Sequence, residues 1–113
     1  MVSKTKPPTF KKLYAGHSGG VRSILALGPQ LWTGSDDKTL RVWSTHDGTC
    51  LYTLTGHTGS VYALLASSMA DGKNKVACVL SGSEDGTIRA WAVTGARECL
   101  KTIDVGHIVT ALV

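Results

Sequence analysis

The 113-residue sequence has no long apolar run: its most apolar stretches, around Val61 to Ala66 and Val76 to Leu80, fall far short of the roughly 18 to 20 residues that cross a bilayer. A membrane-spanning helix is therefore not expected. Nor does the N-terminal MVSKTKPPTFKK resemble an address: its lysines precede no apolar segment, and Pro7-Pro8 breaks the amphipathic helix of a mitochondrial presequence. Cysteine is scarce and odd in number, with Cys50, Cys78 and Cys99 forming no C-x-x-C pair. Free buried thiols in a reducing compartment are the simplest expectation, which places the chain inside the cell, in cytoplasm or nucleus. Also missing are a P-loop, a dinucleotide fingerprint and any convincing helical period. The acidic turns SDDKT and SEDGT lack the alternating oxygen ligands of a calcium loop, so neither cofactor nor metal is implied.

Charge is present but unevenly placed. Of 12 Lys/Arg, five (Lys4, Lys6, Lys11, Lys12, Arg22) precede the first acid, Asp36, while the remaining seven face eight Asp/Glu from there on. The net charge of +4 thus belongs to the N-terminus, and residues 1–9 read as a flexible basic tail. Contact with RNA is the sharper use of such a tail.

What the sequence does contain is an internal repeat. GHSGGVRSILAL from Gly16 matches GHTGSVYALLAS from Gly56, WTGSDDKTLRVW (Trp32 to Trp43) matches LSGSEDGTIRAW (Leu80 to Trp91), and TCLYTL (Thr49 to Leu54) matches ECLKTI (Glu98 to Ile103). Gly106-His107 opens a third copy. Within each copy, runs rich in β-branched and aliphatic residues (Val21 to Leu27, Leu40 to Trp43, Val61 to Leu65, Val76 to Leu80) are punctuated by the turn pairs Gly28-Pro29, Asp36-Asp37, Asp47-Gly48, Asp71-Gly72 and Asp85-Gly86. This is an all-β pattern of antiparallel hairpins.

GH at the start, S/T-G-S, an acid six residues before a tryptophan and T-[IL]-R-x-W together resemble the WD-repeat (WD40) family, over Phe10 to Val113. The final Asp that names the family is replaced by Ser44 and Ala92. The resemblance implies a partial β-propeller of four-stranded antiparallel blades: a closing-type strand at 10–15, a first blade at 16–55, a second at 56–105 and the start of a third at 106–113. It further implies a hydrogen-bonded tetrad in each blade, His17, Thr33, Asp37 and Trp43, then His57, Ser81, Asp85 and Trp91. The chemistry agrees: an indole N–H only donates, a carboxylate only accepts, and hydroxyl and neutral imidazole do both, so a chain from Trp through Ser/Thr and His to Asp satisfies every member.

Two enzyme-like signals need weighing. Ser81, His57 and Asp85 have the residue types of a hydrolase triad, and Gly16 to Gly20 fits G-x-S-x-G. A nucleophile elbow, however, runs from strand through a sharp turn into a helix, whereas VRSILAL reads as a strand, and the second copy has Thr58 in place of the serine. Repetition of both sets favours structure, and the chain is read as non-enzymatic.

By the same resemblance, one rim of the propeller receives protein or peptide partners through Gly20, Arg22 and Asp36 of the first copy and Ser60, Tyr62 and Glu84 of the second. Arg and Tyr are common interface hot spots, although Arg22 and Asp36 can also simply pair with each other. The second copy carries eight extra residues concentrated in SSMADGKNK, 67–75, expected as a flexible basic insertion on the opposite rim. A strand is also expected at Ile108 to Val113. Ten strands are too few for a ring of four to eight blades, so remaining blades from a longer chain or another subunit are expected to complete it.

Overall fold

The computed structural model describes residues 15–112. Eight strands follow one another: β1 Val21–Leu27, β2 Gln30–Ser35, β3 Leu40–Ser44, β4 Cys50–Leu54, β5 Val61–Asp71, β6 Asn74–Ser83, β7 Thr87–Ala92 and β8 Cys99–Asp104. They form two four-stranded antiparallel meanders, β1-β2-β3-β4 and β5-β6-β7-β8. This is an open, partial propeller. The basic tail and residues 10–14 of the expected closing strand lie outside the described residues.

Each sheet begins with a tight hairpin. Leu27 pairs with Gln30 and Asp71 with Asn74, leaving two-residue loops, Gly28-Pro29 and Gly72-Lys73. The first loop residue has a positive φ in both (52° at Gly28, 61° at Gly72), as a type II′ turn requires and as glycine alone supplies at no steric cost.

Register decides what each face carries, because directly opposed residues point the same way. Leu25, Trp32, Val42 and Tyr52 are paired across the first sheet, and Leu40 with Leu54 beside them, so an apolar face forms from four strands. Against it pack Val61, Val79 and Trp91 of the second sheet, with Leu64 and Val93 at the margin. Trp32, Leu40, Val42, Val61 and Val79 have no exposed surface. Burying side chains of this size contributes about 1.5 to 3 kcal/mol each, so the seam between the sheets is where the core sits. Gly34 allows the approach: a Cβ there would lie 2.6 Å from Val61 Cγ1.

Three expectations need correction. Residues 67–75 are not a loose loop: β5 and β6 pair continuously from Ala66–Val79 to Asp71–Asn74, so the insertion lengthens a hairpin. In this ladder Met69 lies opposite Val76, and Gly72 takes the turn. Ile108–Leu112 is not a strand, because no strand among the described residues pairs with it. Finally, Cys78 is buried, but Cys50 and Cys99 are exposed. Both lie on the last strand of their sheet, which is an edge.

Candidate partner-binding rim and its supporting networks

The turn from β2 to β3 holds Asp36 and Asp37, and the loop before β1 holds His17 and Gly20; the β6–β7 turn and the loop before β5 repeat the arrangement. Backbone bonds join each turn to its loop, from Asp36 N–H to Gly20 O (2.9 Å) and from Glu84 N–H to Ser60 O (2.9 Å).

Beneath this rim the tetrad residues meet. In the first sheet the Trp43 indole N–H donates to Thr33 Oγ1 at 2.8 Å, His17 Nε2 lies 2.6 Å from that hydroxyl, and His17 Nδ1 lies 2.7 Å from Asp37 Oδ2. The second sheet repeats the geometry: Trp91 N–H to Ser81 Oγ at 2.8 Å, His57 Nε2 to Ser81 Oγ at 2.6 Å, and His57 Nδ1 to Asp85 Oδ2 at 2.9 Å. Since a carboxylate only accepts, Nδ1 carries the proton; Nε2 of the neutral ring then accepts from the hydroxyl, whose lone pair receives the indole N–H. The chain closes with every donor used.

Each carboxylate gathers further donors. Burial alone would raise the Asp37 pKa, but the Thr39 hydroxyl, His17 and the N–H groups of Thr39 and Ser18 outweigh it and lower it to about 2. Asp85 experiences the same opposition between burial and donors, here from Thr87, Thr58 N–H and His57, and is held well below the usual carboxylate range. Burial lowers the pKa of His57 despite the raising influence of Asp85, which favours the neutral ring the chain needs.

Several participants escape a reading of the tetrad alone. Ser35 and Ser83 are wholly buried, accept the N–H of Asp37 and Asp85 (both 3.1 Å) and donate to Gly19 O and Gly59 O. The Thr39 and Thr87 hydroxyls donate to Asp37 Oδ1 and Asp85 Oδ1 at 2.6 Å. The Arg41 guanidinium lies 5.7 Å from the Trp43 ring centroid. All were legible as identical positions within GSDDKTLR and GSEDGTIR. A hydrolase-like reading also weakens here, since the hydroxyl of Ser81 lies in a wholly buried residue and serves the Trp91 indole.

On the surface, the rim residues fall together across the seam. Arg22 grips Asp36 with Nε at 2.8 and 2.9 Å and Nη2 at 2.8 Å. That contact lowers the Asp36 pKa, burial opposing it, and the Ser60 hydroxyl of the neighbouring sheet helps. Tyr62 donates to Glu84 Oε2 at 3.2 Å. Gly20 leaves room for the Asp36 carboxylate, which a Cβ would approach to 3.3 Å. Asp36 thus links the two repeats, with Arg22 on one side and Ser60 on the other, and the Arg22 side chain is 54% exposed.

Comparison with known proteins agrees with this architecture. The WD domain, G-beta repeat family matches residues 8–44 and 48–92. This chain belongs to the WD-repeat family, whose β-propellers typically act as protein-interaction scaffolds. It is 40% identical over 63 residues to the WD repeat-containing protein pop1 of Schizosaccharomyces pombe, covering 56% of this chain and 8% of that protein. It is 38% identical over 89 residues to the DENN domain and WD repeat-containing protein SCD1 of Arabidopsis thaliana, covering 78% of this chain and 7% of that one. Among solved structures, U3-55K superposes with a TM-score of 0.70 at 26% identity, over 85% of this chain and 28% of its own. The WD40 propeller domain of Doa1 gives 0.71 at 21% identity, over 86% and 31%, a likeness of fold alone. The chain therefore spans less than a tenth of these two relatives and less than a third of these propellers.

Proposed function

We propose that the chain is part of a longer WD-repeat propeller that acts inside the cell as a non-catalytic scaffold, recognising a protein or peptide partner on the rim formed by Gly20, Arg22, Asp36, Ser60, Tyr62 and Glu84. One observation supports this reading: Arg22 and Ser60, from successive repeats, both act on the Asp36 carboxylate, above two hydrogen-bonded networks. Rigid support keeps such a cluster in one geometry, so less conformational freedom is lost when a partner docks. Arg22 and Tyr62 combine contact area with directional polar groups, and their acids, Asp36 and Glu84, hold them upright.

The test is charge reversal. Arg22→Glu is expected to weaken partner capture while leaving the melting temperature unchanged, because Arg22 is a surface group. A large drop in melting temperature instead would make the Arg22–Asp36 pair structural and overturn the rim reading. The basic sequence before Asp36 supports a second reading, an RNA-associated propeller. A salt titration of binding separates the two, since phosphate contacts lose affinity steeply as salt rises.

A further inference from the structure

At the end of the blades opposite the rim, the two hairpins stop at different heights. β1 and β2 turn at Gly28-Pro29, whereas β5 and β6 add four residue pairs that the first blade lacks, from Ser68–Ala77 to Asp71–Asn74. Which way this extension faces follows from strand alternation. Val79 is paired with Trp91, and both lie in the seam against the first sheet. Ala77 and Lys75, two and four residues before Val79, share its face, as do Ala66, Ser68 and Ala70 opposite them. The first sheet ends short of this overhang, at Leu27 and Gln30, and Ala66, Ser68, Ala70, Lys75 and Ala77 are all exposed.

Where the overhang begins, an open wedge of about 340 Å³ separates the blades. Leu27, Pro29 and Gln30 line it from the first, and Ala66, Ala77 and Val93 from the second. Both walls therefore belong to this chain's own two blades, on the faces they turn to each other. An apolar cavity of about 150 Å³ holds benzene, so the wedge has room for a bulky apolar side chain. It is polar at one point. The Trp32 indole N–H donates to Gln30 Oε1 at 3.2 Å, which leaves the carboxamide NH2 as a donor for a main-chain carbonyl.

Beside the wedge stand cations without acids. Lys75 lies two residues from Ala77 on the same face, about 7 Å along the strand. Neither it nor Lys73 pairs with an acid among the described residues. Arg97, in the β7–β8 connection at the same end, is buried and has no acid either: its guanidinium donates to Gly95 O and lies 4.7 Å from the ring centroid of Tyr52 in the first blade.

We infer that this wedge is a docking site for an extended segment of a partner protein that carries a bulky apolar residue and, two positions along, an acidic one. The apolar side chain fills the wedge between Leu27 and Ala77, and the carboxylate meets Lys75. An extended chain places residues i and i+2 on one face about 7 Å apart, which is the spacing from Ala77 to Lys75. The site lies at the opposite end of the blades from the rim and does not depend on that reading.

Titrating the full 113-residue chain with acetyl-Thr-Phe-Thr-Glu-Thr-amide, while following side-chain methyl resonances, tests the wedge. Saturable shifts are expected at Leu27, Ala66, Ala77 and Val93, and exchanging the peptide's Phe for Ala should abolish them. Moving its Glu next to Phe should weaken binding about two- to fivefold, the worth of one exposed ion pair. Lys75→Glu should cause a similar loss and restore binding to the peptide with Lys in place of Glu. Ala77→Leu, at an exposed position, should weaken binding about tenfold or more by occupying the wedge. Absence of saturable shifts, equal binding of the Ala peptide, or binding unaltered by both variants overturns the inference. So does concentration-dependent broadening of these methyls without peptide, which would assign the wedge to a second copy. Shifts of the same methyls on removal of residues 1–9 would assign it to the chain's own tail and overturn the inference too. Arg22→Glu should leave this titration unchanged, so the rim reading and the wedge fail separately.

Discussion

The two blades share one motif but differ in what lies beside them, and a single repeated valine shows the consequence. Val21, Val61 and Val109 follow the Gly-His start of successive copies, yet their exposure is 47%, 0% and 8%. Side chain and local motif are the same; what changes is whether a preceding sheet stands beneath. Val61 rests on the first blade and Val109 on the second, whereas Val21 has no sheet beneath it among the described residues. Burial in this fold is thus a property of the seam between blades and not of the blade, as expected when each repeat stabilises mainly its nearest neighbours.

The comparison is most sharply tested at the networks. Asp85→Ala is expected to destabilise by about 1 to 3 kcal/mol, because it strands His57, Thr58 N–H and Thr87 without an acceptor. Asp37→Ala should cost a similar amount in urea denaturation, since its partners are the same. A loss at one site only would show that the blades do not share a network. Next in size is the seam: Val61→Ala is expected to cost about 2 kcal/mol, from lost burial and a residual cavity. Val21→Ala should cost under about 0.5 kcal/mol, as exposed substitutions do.

A smaller and opposite effect is expected in the turns. Gly86 has φ of 83°, and its equivalent in the first blade, Lys38, has 76°. A lysine held in the left-handed region costs about 1 to 2 kcal/mol, partly offset by the entropy a glycine loses on folding, so Lys38→Gly is expected to raise stability by up to about 1 kcal/mol. Gly86→Ala should lower it, both for its φ and because a Cβ would lie 3.3 Å from His107 N. Thermal melts of the pair check the sign.

The gentlest probe is acidity. The His57 pKa is lowered from 6.5, so the unfolded chain binds the proton more readily, and this contribution to stability is lost as pH falls below about 6.5. Asp37 is lowered from 3.8 to about 2 and Asp85 is lowered also; their contribution is complete above 3.8 and is lost as pH falls below it. Denaturant midpoints measured from pH 8 to pH 3 should show both limbs, and His57→Gln should remove the upper one.

Much of the fold was legible because the repeat displays its own periodicity. Strand type and turn position follow from two aligned copies; the tetrad residues follow from the family resemblance, with which donor and acceptor counting agrees. Local signals failed where the deciding interaction was distant. SSMADGKNK contains turn-forming residues, and nothing in its composition announces that β5 and β6 continue pairing around Gly72. Cys50 and Cys99 occupy strand-like runs, yet they lie on β4 and β8, edges that no further strand covers among the described residues. Ile108 to Leu112 has a strand's residues without a strand's partner. The rim positions were assigned by family resemblance; that Arg22 closes on Asp36 while Ser60 reaches the same carboxylate from the next blade required the two sheets to be placed side by side.

By itself, then, the sequence determined what is encoded within one repeat: strands, their turns and, through the family resemblance its motifs carry, the members of a hydrogen-bonded chain. Only the tertiary structure decided which faces a neighbouring sheet covers and which thiols reach solvent. The physical reason is range. Turn geometry and donor–acceptor matching act within a repeat, whereas burial depends on the neighbour that packs against it.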